Sequence, residues 1–158
     1  AWPWWSSALA QRARRRLAVM EAPEIPEFPQ FVHETVTRWS DDDSQGVLNN
    51  AVYLTLFEEA RHGFCRAAEV LSDGAFPFLL AQTNVRFVSP GRGGEAVRVE
   101  LSTVHVGSRS FRQAYRVRSS EGAVWAEGEA ALVCYDPETM QSVEIPTELR
   151  EALEALKG

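Results

Sequence analysis

The sequence predicts an α+β fold in which one long amphipathic helix lies on an antiparallel sheet. Three observations predict it. Between Asn50 and Leu71 the apolar residues Tyr53, Phe57, Ala60, Phe64, Ala68 and Leu71 recur at helical spacing, which gathers them into one stripe. Beyond "SDGAFPF" the period switches to two and stays there through four segments, as in strands with one buried face. The breaks "SPGRGG", "VGSR" and "SSEG" contain glycine, and the last two leave room only for tight turns. One helix cannot bury its stripe alone, and a four- or five-stranded sheet has an apolar face to offer it.

The elements follow in chain order. Residues 1–20 hold three of the five Trp and four Arg with no acid. An Arg-rich, acid-poor stretch is one form of mitochondrial targeting segment. The plainer reading is extra sequence ahead of a natural start at Met20. Residues 1–27 are therefore expected to be an extension outside the core, ending in the Pro-rich lead-in "EAPEIPEFP", and 28–158 a single domain. Phe31 to Trp39 alternates as a first strand. The loop Ser40 to Gly46 leads to the helix Asn50 to Leu71, roughly 33 Å at 1.5 Å per residue. Four strands are expected at Leu79–Val88, Glu95–Val106, Arg109–Arg118 and Ala123–Tyr135. A terminal helix, Glu148 to Leu156, has Thr147 as its cap and Pro146 before it.

Composition narrows the function. A chain of 158 residues buries one core rather than two. A formal net charge of -6 opposes general affinity for nucleic-acid phosphate. No apolar run approaches the roughly 18 residues of a membrane span. Cys65 and Cys134 stand apart without a CxxC neighbour and read as buried free thiols of a reducing compartment. His33, His62 and His105 are scattered, as are the cysteines, so neither a zinc site nor a Ser-His-Asp triad is expected.

The chemistry concentrates in "RWSDDDSQGVLNNAVYLTLFEEAR", Arg38 to Arg61. The start of a long helix offers amide donors without intrahelical partners and the positive end of the macrodipole. Such an end polarises a carbonyl oxygen. A carboxylate just upstream, such as Asp43, could then act as nucleophile or as base toward water. Gly46 between them permits a tight reversal. Acids before helices also serve simply as turns and caps, with Asn49 a candidate cap, and the residue pattern alone leaves both readings open.

The stretch resembles the signature of the hotdog-fold 4-hydroxybenzoyl-CoA thioesterase family, Asp-x-Asp-x-x-Gly-x-x-Asn-Asn-x-x-Tyr ahead of Phe-Glu-x-Ala-Arg. Asp41, Asp43, Gly46, Asn49, Asn50, Tyr53, Phe57, Glu58, Ala60 and Arg61 match it. "VRFVSPGRGGEAVRV" and "VGSRSFRQAYRV" are similar to the family's later strands, so the resemblance covers residues 31–135. It implies a hotdog fold, with the sheet wrapped around the helix, and hydrolysis of an acyl-CoA thioester to a carboxylic acid and coenzyme A. Asp43 matches the catalytic carboxylate and the Asn50 N–H the donor to the thioester carbonyl. Gly46, Val47, Asn49 and Tyr53 match positions that line or support the substrate site, while Asp41 and Asp42 shape the turn. Many members carry His where Val47 stands, which leaves the branch and the acyl group open.

The family also implies a homodimer or homotetramer with its cleft between subunits, which Ser110 would line from across the boundary. No metal or redox cofactor is implied, and the expected compartment is the cytoplasm, or the mitochondrial matrix if residues 1–20 are a transit peptide. Arg86 and Arg92 are candidates for the coenzyme A phosphates, since guanidinium binds phosphate bidentately, although either alone reads as readily as a solvated side chain. Glu58 and Glu59 could supply the helical carboxylate of another branch. Glu58 with Arg61 or His62 equally forms ordinary helix-surface pairs. A carrier-protein thioester as substrate, recognised by Arg86, Arg92 and Arg109, and a module that binds acyl thioesters without turnover are the alternatives.

Overall fold

In the computed structural model, which describes residues 25–27, 29–71 and 73–155, the helical stripe and the alternating segments become the elements expected of them. The chain runs β1 (Phe31–Val36), a 3-10 turn (Trp39–Asp41), α1 (Asn50–Ala67), β2 (Phe78–Phe87), β3 (Ala96–Val106), β4 (Ser110–Ser119), β5 (Val124–Asp136), the short β6 (Gln141–Ser142) and α2 (Thr147–Glu154). The five long strands form one sheet in the order β1-β3-β4-β5-β2, and β6 pairs with β5. Every pairing is antiparallel. The tight turns make β3, β4 and β5 consecutive hairpins. β1 and β2 close on their outer sides as the two edges.

The sheet curls around α1, and aromatic contacts from three strands mark the curl. Phe64 meets Phe31 of β1 with centroids 6.2 Å apart, Phe57 stacks on Tyr115 of β4 at 4.6 Å, and Tyr53 meets Phe87 of β2 at 5.3 Å. This is the hotdog arrangement. Gly128 of β5 lets the helix sit this deep: a Cβ there would lie 2.6 Å from the Phe57 ring and 2.8 Å from the Asn84 carbonyl oxygen. Val97, Val99, Leu101, Phe111, Val117 and Leu132 complete the layer beneath α1, with Leu149 and Leu153 of α2 in the same core. Cys65 and Cys134 are buried and unpaired. Burial, partly offset by Arg61, raises the first thiol to about 12, and burial, partly offset by Arg150, raises the second to about 11.

Several boundaries differ from expectation. α1 stops at Ala67, not Leu71, because Glu69 takes a left-handed φ of 55° and the chain closes a Schellman motif: Val70 N–H donates to Cys65 O and Glu69 N–H to Arg66 O. Leu71 continued the apolar pattern because it packs, with Val70, against the core from the following loop. The first strand ends at Val36, since Asp41 folds the chain back by accepting from Arg38 N–H at 2.8 Å. Thr147 is the first residue of α2 rather than a side-chain cap. Arg61, read as a helix-surface residue, is buried. The segment 1–24 and Leu156 lie outside the described residues.

The face of the sheet turned away from α1 carries a charge ladder across neighbouring strands. Arg86 pairs with Glu127, Arg116 bridges Glu127 at 3.0 Å and Glu100 at 3.4 Å, and Arg118 reaches Glu100 at 2.8 Å. Burial works against ionisation of Glu127, but hydrogen bonds from Arg86 and Arg116 outweigh it and hold its carboxyl below the usual range. A folded-state value depressed in this way stabilises the protein above the unfolded carboxylate pKa, about 4.3, and the contribution is lost as pH falls through the folded value. Urea unfolding of wild type and Glu127→Gln, at one protein concentration, should show a stability gap at pH 7 that shrinks steadily below about pH 4.

Candidate active site

Three consecutive acids build the turn into α1, and each has a separate task. Asp41 accepts Asn49 N–H on its backbone oxygen at 2.8 Å and Arg38 N–H on its carboxylate. Asp42 forms a bridge with Leu48 and accepts Gly93 N–H on Oδ1 at 2.7 Å. Asp43 closes the reversal: its N–H donates to Val47 O at 2.8 Å, and its carbonyl accepts Gly46 N–H at 2.9 Å. Gly46 holds φ at 71° there, a conformation glycine adopts without penalty. Oδ1 of Asp43 accepts Gln45 N–H at 2.7 Å. Oδ2 has no hydrogen-bond partner among the described residues.

Immediately beyond, Asn49 caps α1, its Oδ1 accepting Ala51 N–H at 2.9 Å. That leaves the N–H of Asn50, the first helical residue, without an acceptor among the described residues. The turn is tied to the β2–β3 loop by Leu48 N–H on Gly91 O at 2.9 Å and by the Asp42–Gly93 bond. Thr37 Oγ1 holds the same loop through Arg92 O at 2.8 Å. The exposed side chain of Arg92 therefore belongs to the loop that flanks the helix start.

Tyr53 supports this corner from beneath. It is buried, and burial raises its phenol to about 12, the Gly91 backbone offsetting part of the rise, so it stays neutral at physiological pH. A Cβ on Gly91 would come 2.5 Å from the Trp125 ring and 2.7 Å from the Tyr53 hydroxyl. Only glycine lets the loop close over the tyrosine.

Asp43, Gly46, Val47, Asn49, Asn50, Tyr53 and Arg92 are thus brought together. Arg86 is not: it projects from the outer sheet face and is held by Glu127. Ser110 opens β4 at the far end of the sheet, paired with Val133. Val117, seven residues on, pairs with Ala126 beside the Trp125 ring that Gly91 covers, and seven residues of strand span about 23 Å, so within one subunit Ser110 is remote from that corner. Among the described residues no three His, Cys, Asp or Glu side chains converge on a metal position. His33 lies 3.6 Å from Glu59 and His62 packs edge-on to Phe76.

Arg61 is the residue that sequence reasoning misplaced. Its Nη1 donates to the buried Tyr115 hydroxyl at 3.2 Å, which donates in turn to Gln113 Oε1 at 2.9 Å. The signal was present: Arg61 stands four residues after Phe57 and three before Phe64, on the buried stripe itself.

An antiparallel sheet curled around one helix, with a carboxylate turn at that helix's positive end, places the molecule in the class of hotdog-fold thioester enzymes. Residues 37–153 match the model of the thioesterase-like superfamily, and the chain belongs to that family. It is similar to the acyl-CoA thioester hydrolase YbgC of Escherichia coli, 23% identical over 125 residues that cover 73% of this chain and 93% of the relative. Among solved structures, a thioesterase from Thermus thermophilus complexed with coenzyme A and Zn is 29% identical with a TM-score of 0.73, covering 84% of this chain and 98% of that one. A 1,4-dihydroxy-2-naphthoyl-CoA thioesterase from Synechocystis shares the fold at 18% identity and TM-score 0.73, covering 81% and 98%.

Because the Asn49 cap sets where α1 begins, Asn49→Ala should lower stability by about 1 kcal/mol. Chemical denaturation at fixed protein concentration reads this cost.

Proposed function

We propose that this protein hydrolyses an acyl-CoA thioester, with Asp43 and the Asn50 amide as its catalytic pair. One observation carries the reading: a carboxylate with an unpartnered oxygen and a helix-start N–H without an acceptor, among the described residues, belong to the same short turn. The N–H and the helix dipole would polarise the thioester carbonyl and hold its developing oxyanion. Asp43 either takes a proton from the water that attacks the carbonyl carbon or attacks it directly, forming an anhydride that water then opens. In both routes the C–S bond breaks, the thiolate of coenzyme A gains a proton and the acyl group leaves as a carboxylic acid. The chain's own groups suffice for these steps without a metal or redox cofactor.

The names of the relatives, an acyl-CoA thioester hydrolase and a thioesterase complexed with coenzyme A, support coenzyme A as the thiol. Arg92 is the phosphate contact we assign, and Arg86, neutralised by Glu127, is not. That loss also weakens the carrier-protein reading, which needs a basic patch at the cleft mouth. The acyl-CoA thioester hydrolase among the relatives favours turnover over a non-catalytic binding module. The two buried thiols fit a reducing compartment such as the cytoplasm.

The working unit is a homodimer at least. β2 is a ten-residue edge strand carrying exposed Leu79, Leu80 and Phe87, with exposed Leu54 of α1 beside it. A long apolar edge calls for a cover, and an antiparallel β2–β2 pairing with a second copy supplies one. Such a pairing sets the far end of the partner sheet, where Ser110 lies, beside the helix start of the first copy.

Thiol release from a panel of acyl-CoA thioesters tests the chemistry. Asp43→Asn should fold normally and lose about 10²–10⁴ in kcat, and an undiminished rate in that variant overturns the mechanism. Leu79→Lys places a charge on the β2 edge and should shift sedimentation toward the monomer with a parallel loss of activity.

A further inference from the structure

We propose that the adenine ring of coenzyme A stacks on the exposed indole of Trp39. This contact makes Trp39 the residue that selects coenzyme A over thiols carrying only the pantetheine arm. The inference rests on the thioesterase reading above and names the thiol that the same site prefers.

Trp39 is the most exposed of the large apolar side chains among the described residues, at 85%. The β2 pairing accounts for Leu54, Leu79, Leu80 and Phe87 and does not draw on Trp39. Its backbone, by contrast, is fixed. Thr37, two residues earlier, is buried and ties the chain to the β2–β3 loop: its N–H donates to Glu95 O at 3.0 Å, and its carbonyl accepts Gly94 N–H at 2.8 Å. The loop runs directly against the next two residues, so close that a Cβ on Gly93 would come 2.2 Å from Arg38 O and 3.0 Å from Trp39 Cα. A held backbone with an open indole face is preorganised for a flat ligand.

The charges beside it suit a nucleotide. Arg38 and Arg92, next to that contact on its two chain segments, are both exposed, and neither meets a carboxylate within salt-bridge distance among the described residues. The nearby Asp41 and Asp42 carboxylates already accept the Arg38 and Gly93 amides. Coenzyme A ends in an adenosine with a 3′-phosphate and a 5′-diphosphate, an aromatic face flanked by anions. Guanidinium groups take the phosphates, and an aromatic side chain takes the base through its π-face.

Reach agrees with this placement. Asp41, two residues after Trp39, accepts Asn49 N–H at 2.8 Å. At about 3.8 Å per residue step, the Trp39 Cα therefore lies within roughly 16 Å of the Asn50 amide. The pantetheine arm has the backbone length of about four extended residues, roughly 14 Å. With the thioester carbonyl on the Asn50 amide, the diphosphate can reach Arg38 and Arg92, and the adenine can reach Trp39. A carrier protein presents the same arm without the adenosine and leaves the indole bare.

The test compares the best acyl-CoA of the panel with the same acyl group on pantetheine. Wild type should prefer the coenzyme A ester in kcat/KM by tenfold or more. Trp39→Ala should remove about tenfold of that preference, through KM rather than kcat, and Trp39→Phe should retain most of it. At so exposed a position neither change endangers folding. A merely structural Trp39 would lower both esters alike. No preference in wild type, a ratio unmoved in Trp39→Ala, or a loss shared equally by both esters overturns the proposal. So does a shift of Trp39→Ala toward the monomer in sedimentation, which would make the indole a subunit contact. Calorimetric titration of adenosine 3′,5′-bisphosphate into wild type and Trp39→Ala separates the two readings. Absence of turnover on every acyl-CoA defeats the hydrolase; bisphosphate affinity that falls in the variant still supports the platform, and equal or absent binding overturns it.

Discussion

The depth at which α1 sits in the sheet is the constraint on which the rest depends. It is set where Phe57 stacks on Tyr115 above Gly128, a contact that any Cβ at Gly128 would push apart. With the helix seated there, its first turn arrives beside the β2–β3 loop and its third turn meets Tyr115. The corner with Asp43 and the buried Arg61 are two consequences of one packing event. A helix riding higher on the sheet would separate Leu48 from Gly91 and leave Arg61 in solvent.

At the helix start, three side chains share the positioning with the backbone, and one carboxylate oxygen is left over. Asp41 and Asp42 commit their carboxylates to the Arg38 and Gly93 amides, and Asn49 commits its amide oxygen to Ala51. Asp43 uses one carboxylate oxygen on Gln45 and retains the other. Consecutive acids would repel if they pointed together. Here the tight reversal at Gly46 and the bridge from Asp42 to Leu48 assign them to separate partners, which is how three charges share one turn.

Much of this was legible in the sequence, for physical reasons that differ by element. The change from helical to two-residue period gave the element order, because burial on one face imposes it. The spacing from Asp43 through Gly46 to Asn49 located the turn. What periodicity could not show was where an apolar run leaves its helix: Val70 and Leu71 are partly buried against the core but reach it through a Schellman turn at the non-glycine Glu69. Strand alternation likewise placed Arg86 on a face without saying which face, and only the register opposite Glu127 fixes that. Arg61 was misread through its charge, although its position marked it as buried.

Charge is sorted by surface in this molecule, and the sorting narrows what its site can bind. On the outer sheet face Glu100, Glu127 and Glu129 engage Arg86, Arg112, Arg116 and Arg118, so that face offers an anion little beyond paired cations. Against a net charge of -6, an anionic substrate would find little long-range attraction and must rely on local cations. Arg92 at the helix start and Arg61 beneath α1 are not committed to a carboxylate at hydrogen-bond distance among the described residues. Arg92, exposed beside the helix start, is the one the proposed function uses, while Arg61 is spent on holding the Tyr115 hydroxyl.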